Sequence, residues 1–184
     1  MIRIRALRLL CIIGTLFILL FILSGCFNMT VSECIVSAEE AQNALDEALS
    51  CLRRPYDWGG NGPDSFDCSG LIIWSYQQAM DKTLYYQTST GLENDIRMDD
   101  LFCYNVALIN PANVRPGDIV FVTSEDGLIT HGGLFIEWID ADTFLYVNAS
   151  SNHGGVVINV WRLGKQIQGK WFMGFGQLIE RTIL

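Results

Sequence analysis

Apolar and polar positions along the chain fall into three successive textures. The first is an unbroken apolar run, LLCIIGTLFILLFIL, preceded by MIRIRALR. Arginines ahead of about fifteen apolar residues form the charged and hydrophobic regions of a secretory signal. The second texture repeats at helical spacing. Ser37 followed three residues later by Glu40 is a capping-box signature, and Ala41, Ala44, Leu45, Ala48 and Leu52 then share one face, which predicts a helix over about 38–52. Leu71, Ile72, Ser75, Tyr76 and Ala79 predict a second helix over 68–80, with Asp67 placed to cap it. The third texture begins at Gly117. DIVFV, GGLFIEW, TFLYVN, VVINVW and WFMGFGQLI read as strands separated by Gly, Asn, Asp or Ser clusters.

Between these textures the pattern weakens. Residues 27–36 show no clear period and are expected to be a tether. Pro55 to Pro63 encloses WGGNG, an irregular loop, and 81–114 is expected to hold loops and a short helix. Helices first and antiparallel strands afterwards point to a single α+β domain.

Composition adds an address and several exclusions. The 184 residues carry 12 Lys+Arg against 20 Asp+Glu, a net charge of -8, which argues against a nucleic-acid partner. Six cysteines form no CxxC pair and only two histidines are present, so no metal site and no cofactor is expected. Leu23, Ser24, Gly25 and Cys26 resemble a bacterial lipobox. That resemblance implies residues 1–25 as a lipoprotein signal, 26–36 as a tether lipidated at Cys26, and 37–184 as the functional domain, exported and anchored in the membrane by lipid. An uncleaved anchor is the alternative. Removing Arg3, Arg5 and Arg8 with the signal makes the remainder still more acidic, so anionic lipid heads should repel it and the anchor alone should hold it.

The chemistry gathers in RPYDWGGNGPDSFDCSGLIIWSY, where Cys68 stands at the turn from a glycine-rich loop into a helix. Free amides and the helix dipole at that position favour a thiolate, so a lowered thiol pKa is expected. A buried, inert cysteine is the alternative. A thiol nucleophile needs a base, and imidazole suits it. His131 opens a strand, whereas His153 lies in the turn-like SSNHGG and is expected to be a solvated loop residue. If 131–138 and 143–149 form a hairpin around 140–142, Asn148 falls within a residue or two of facing His131 and is suited to orient the ring.

PYDWGG, FDCSGLI, RPGDIVFV, HGGLFIE and VNASSNHGGVVI, in that order, resemble the successive motifs of the NlpC/P60 cysteine peptidases. The resemblance spans Arg54 to about Ile158. It implies a papain-like fold, with N-terminal helices packed on a C-terminal antiparallel β-sheet, and hydrolysis of peptide bonds in bacterial peptidoglycan stem peptides, often after γ-linked D-glutamate, by a monomer. Cys68 matches the family's nucleophile and His131 its base. Asn148 stands at the third polar position, commonly histidine, and so departs from the family toward a Cys-His-Asn arrangement. Tyr56 matches a tyrosine ahead of the glycines that either assists with its hydroxyl or packs the loop. Asp67 and Ser69 match positions that in relatives contact the substrate's amine end, and equally read as a helix cap and a first-turn residue. Gly132 and Gly133 replace larger residues and are expected to widen the cleft floor, while Gly59 and Gly60 are expected to allow positive φ or close approach. Cys34 is free to pair with another cysteine in an oxidising compartment, and Cys68 is expected to pair with none. Two rival functions remain on the same residues: an amidase or acyltransferase, and a binding protein with a worn cleft.

Overall fold

The computed structural model describes residues 30–183. The signal segment and Cys26 lie outside the described residues.

Helix α1 spans Ala38–Ser50 and opens on the full capping box: the Ser37 hydroxyl accepts from the Glu40 amide, and the Glu40 carboxylate accepts from the Ser37 amide. Its buried stripe is Ala41, Ala44, Leu45 and Ala48. Helix α2 spans Cys68–Met80 with Asp67 as its cap, and Leu71, Ile72 and Tyr76 are sealed from solvent. A short third helix, α3, covers Met98–Tyr104 within the stretch expected to mix loops and a helix.

A seven-stranded sheet supplies the second layer. Its strands are β1 (Val31–Ile35), β4 (Val106–Ile109), β5 (Ile119–Thr123), β6 (Ile129–Trp138), β7 (Thr143–Ser150), β8 (Gly155–Arg162) and β9 (Trp171–Ile183). The order is β1-β9-β5-β6-β7-β8, with β4 also paired to β9. Strands β2 (Tyr86–Gln87) and β3 (Leu92–Glu93) form a separate small ribbon. Side chains alternate between the two faces, as the period of two demands. Phe121, Leu134 and Val147 join Leu45, Leu71 and Tyr76 in one core. Val122, Phe135, Phe144, Trp161 and Phe175 form an aromatic cluster on the other face.

Within the segment read as a tether, Val31–Ile35 join this sheet. Strand β1 lies against β9, where Glu33 accepts from Arg181 at 2.8 Å, and Val36 N–H donates to the Leu178 carbonyl at 3.0 Å. Glu33 and Arg181 are 148 residues apart, so no local period marks the strand. Cys34 on β1 is exposed, and Cys34, Cys51, Cys68 and Cys103 are all free thiols.

The turn before β5 ties helix to sheet. Gly117 adopts φ +87, and a Cβ there would meet the Ala41 carbonyl oxygen at 1.9 Å, so only glycine admits α1 this closely. Its own carbonyl accepts from the buried Tyr76 hydroxyl at 2.8 Å, and Asp118, fully buried, is paired with Arg115 at 3.0 Å. This junction holds α2 at a set height against β6.

Candidate active site

Cys68 is the first residue of α2, and the loop before it is built to present that end. Asp67 Oδ1 accepts from the Gly70 amide at 2.7 Å and the Ser69 hydroxyl at 3.0 Å, while Oδ2 accepts from the Gly59 amide at 3.0 Å. The cap thus fastens helix and glycine loop with one carboxylate. Gly59 has φ +76, and a Cβ on Gly70 would meet the Gly60 carbonyl oxygen at 2.0 Å, so the loop presses on the first helical turn. Ser69 is buried one step further into the helix than a first-turn opening position, because Cys68 itself takes that place.

Cys68 is half-buried, and its thiol, a weak donor, lies 3.9 Å from the Thr130 carbonyl oxygen. It lines a cavity with Asp67, Ser69, Trp58, Arg97, Asp99 and Thr130. His131 follows Thr130 directly. Its Nε2 is 3.1 Å from Asn148 Oδ1. Strand register explains the pairing: Leu134 faces Val147 in the β6–β7 ladder, which sets Gly133 opposite Asn148 and leaves His131 on the neighbouring diagonal.

Asn148 is fully buried and decides the tautomer of the ring. Its Nδ2 donates to the Val157 carbonyl at 3.4 Å, so the amide oxygen must be the atom facing the imidazole. Nε2 therefore carries the proton, and Nδ1 keeps the lone pair a base requires. The glycine expected to widen the cleft does the opposite. A Cβ on Gly133 would meet the Val147 carbonyl oxygen at 2.2 Å and Asn148 Cβ at 2.9 Å, and one on Gly132 would meet Met98 Cε at 2.4 Å. Both glycines permit close approach of filled structure.

The charge state of the thiol also differs from the expectation. Burial pushes the Cys68 thiol up to about 11, and the Asp67 carboxylate adds to the rise; the Ser69 and Cys68 amides pull down by less. The helix end favours the anion as expected, but desolvation and the adjacent cap carboxylate outweigh it. His131 is moved to about 4, first by burial and then by the Lys170 ammonium, against the hydrogen bond to Asn148. At neutral pH the pair rests as thiol and neutral imidazole.

Tyr56 is half-buried against the core, and burial followed by the nearby Cys68 and Asp67 raises its phenol above the usual range. Its ring packs the loop and faces the site. His153 is exposed, with Nδ1 2.9 Å from the Ser150 hydroxyl, and takes no part. Trp58 stands 85% exposed at the cavity lip. Arg97, Asp99 and Asp100 also line this cavity, and the sequence around them carries no clear period that would mark them. Acidic residues at 99 and 100 opening a short helix are the one local signal there.

With the geometry described, comparison with known proteins decides the family. The NlpC/P60 family profile matches residues 53–175. The chain belongs to the NlpC/P60 family. A relative described as probable endopeptidase p60 in Listeria grayi is 30% identical over 135 residues, covering 72% of this chain and 22% of that protein. The chain thus spans about a fifth of the length of such relatives. NlpC1 from Trichomonas vaginalis shares the fold at a TM-score of 0.57 and 24% identity, covering 82% of this chain and 47% of that one. A Staphylococcus aureus protein described as similar to lipoprotein, NLP/P60 family, aligns at a TM-score of 0.53 and 25% identity over 80% of this chain and 44% of that one. The α+β NlpC/P60 architecture, helices on an antiparallel sheet, is therefore the fold of this chain.

Proposed function

We propose that this NlpC/P60 domain is a cysteine peptidase that hydrolyses peptide bonds in bacterial peptidoglycan stem peptides, after γ-linked D-glutamate, through an acyl-thioester on Cys68. The observation that carries the reading is His131, paired with Asn148 of β7 so that its proton sits on Nε2, on strand β6, whose Thr130 carbonyl meets the Cys68 helix end. The naming of relatives as probable endopeptidases supports it.

The steps follow from the resting charges. A bound carbonyl draws the sulfur forward while His131 Nδ1 takes the thiol proton, so no free thiolate is required beforehand. The oxyanion that forms meets the amides of Cys68 and Ser69, which also face the sulfur. The imidazolium, its Nε2–H donated to the Asn148 amide oxygen, gives its proton to the leaving amine. Water, deprotonated by His131, then opens the thioester and returns the thiol. Asp67 Oδ2 keeps a lone pair for the amine end of the acyl portion beside Ser69, and Tyr56 shapes that side. The apolar leader and Cys26 are consistent with an exported domain held at the membrane by lipid.

Digestion of purified muropeptides by the chain from residue 27 onward, read by mass spectrometry, tests this. New products cut at the γ-D-glutamyl bond are expected. Cleavage of the sugar–peptide amide instead would make it an amidase, binding without turnover would make it a receptor, and full activity in Cys68→Ala would remove the thiol mechanism.

A further inference from the structure

The imidazole borders a second recess whose lining shares no residue with the Cys68 cavity. Its wall includes His131, Tyr146, Asn152, Asn159, Trp161 and Lys170. No Asp or Glu lines it, in a chain with 20 acidic residues, whereas Asp67, Asp99 and Asp100 line the cavity at Cys68. Even counting Arg97 on the Cys68 cavity, the two recesses differ in sign, net acidic at Cys68 and basic beside His131.

One cation in the basic recess lacks a partner. Lys170 is half-buried and, like Arg53, Arg54, Arg97 and Lys165, enters no salt bridge among the described residues. The turn is also preset. Ile167 and Lys170 exchange backbone hydrogen bonds at 3.0 Å, and Asn152 Nδ2 donates to Gln168 Oε1 at 2.6 Å.

We propose that this recess binds a carboxylate on the leaving residue of the substrate, held by the Lys170 ammonium. The inference rests on the peptidase reading, since His131 protonates the leaving amine and so the leaving residue emerges on the imidazole side. A carboxylate there also offsets the ammonium that opposes protonation of His131.

The test uses the full chain with Cys68→Ala, which binds without cutting, and two synthetic peptides: L-Ala-γ-D-Glu-L-Lys with a free terminal carboxylate, and the same peptide as its terminal carboxamide. Calorimetric titration should show the carboxylate bound about tenfold more tightly, equivalent to about 1.4 kcal/mol. Adding Lys170→Gln should bring the ratio close to one, and Lys170→Arg should retain most of it. Equal affinity in the Lys170 protein, no measurable binding of either peptide, or a ratio unchanged by Lys170→Gln overturns the proposal. Turnover by the unsubstituted chain is followed in parallel. Failure to cut either peptide while the binding ratio holds removes the peptidase reading and leaves the carboxylate site standing.

Discussion

Replacing Asn148 by aspartate puts the electrostatics of the imidazole to a direct test. In the native chain His131 binds a proton only below about 4, because burial and the Lys170 ammonium both disfavour the cation and the Asn148 amide, 3.1 Å away, offsets them only in part. A carboxylate in the same place sets a full charge against the ring. At an effective dielectric of about 20 and a separation of about 4 Å the attraction is about 4 kcal/mol, or about three pH units. Asn148 is fully buried, so desolvating the new carboxylate takes back part of that gain. A net rise of about one to two units is expected, carrying His131 into the range of about 5 to 6. Proton NMR titration of the imidazole C–H signals measures it. The chain has only two histidines, and His153→Gln assigns the exposed one. Stability follows the same shift. The unfolded chain takes up the His131 proton near 6.5 and the folded chain near 4, so between those values the unfolded state binds more protons. The contribution is complete above about 6.5 and is lost as pH falls to about 4, by at most about 1.4 kcal/mol per unit. In Asn148→Asp that window narrows from its lower end. A native His131 titrating near 6.5, or one that Asn148→Asp leaves in place, would refute the burial and pairing argument.

Gly133→Ala forces a Cβ against the Val147 carbonyl and Asn148 Cβ, and should cost about 1–3 kcal/mol in urea unfolding while lowering turnover. Gly174→Ala on β9 has open space and should change neither; equal effects of the two would sink the packing account. Alkylation of Cys68 by iodoacetamide, followed by peptide mass mapping, should be slow at pH 7 and gain about tenfold per pH unit through pH 10, since the thiol is pushed up to about 11. Asp67→Asn keeps a capping side chain and removes the charge that raises the thiol, so its alkylation curve should move to lower pH. A plateau below pH 8 in the native chain would contradict the neutral resting pair.

Local chemistry was enough to determine much of this protein. The capping box at Ser37 and Glu40, the Asp67 cap, the apolar stripe of α2 and the alternation through β5 to β9 are set by residues within a few positions of one another, and each element formed where its pattern stood. The alignment of Asn148 with His131 was also within reach, because one short hairpin sets its register. Other features depend on segments that meet only after folding. Strand β1 has no local period and exists because β9, far along the chain, offers it an edge. Lys170 and Trp161 reach the neighbourhood of His131 only when β8, β9 and their connecting turn close beside it. The helix end at Cys68 suggested an anion from sequence, yet the proton stays on sulfur, since loss of water around an atom is a sum over the whole fold rather than a property of its neighbours in the chain.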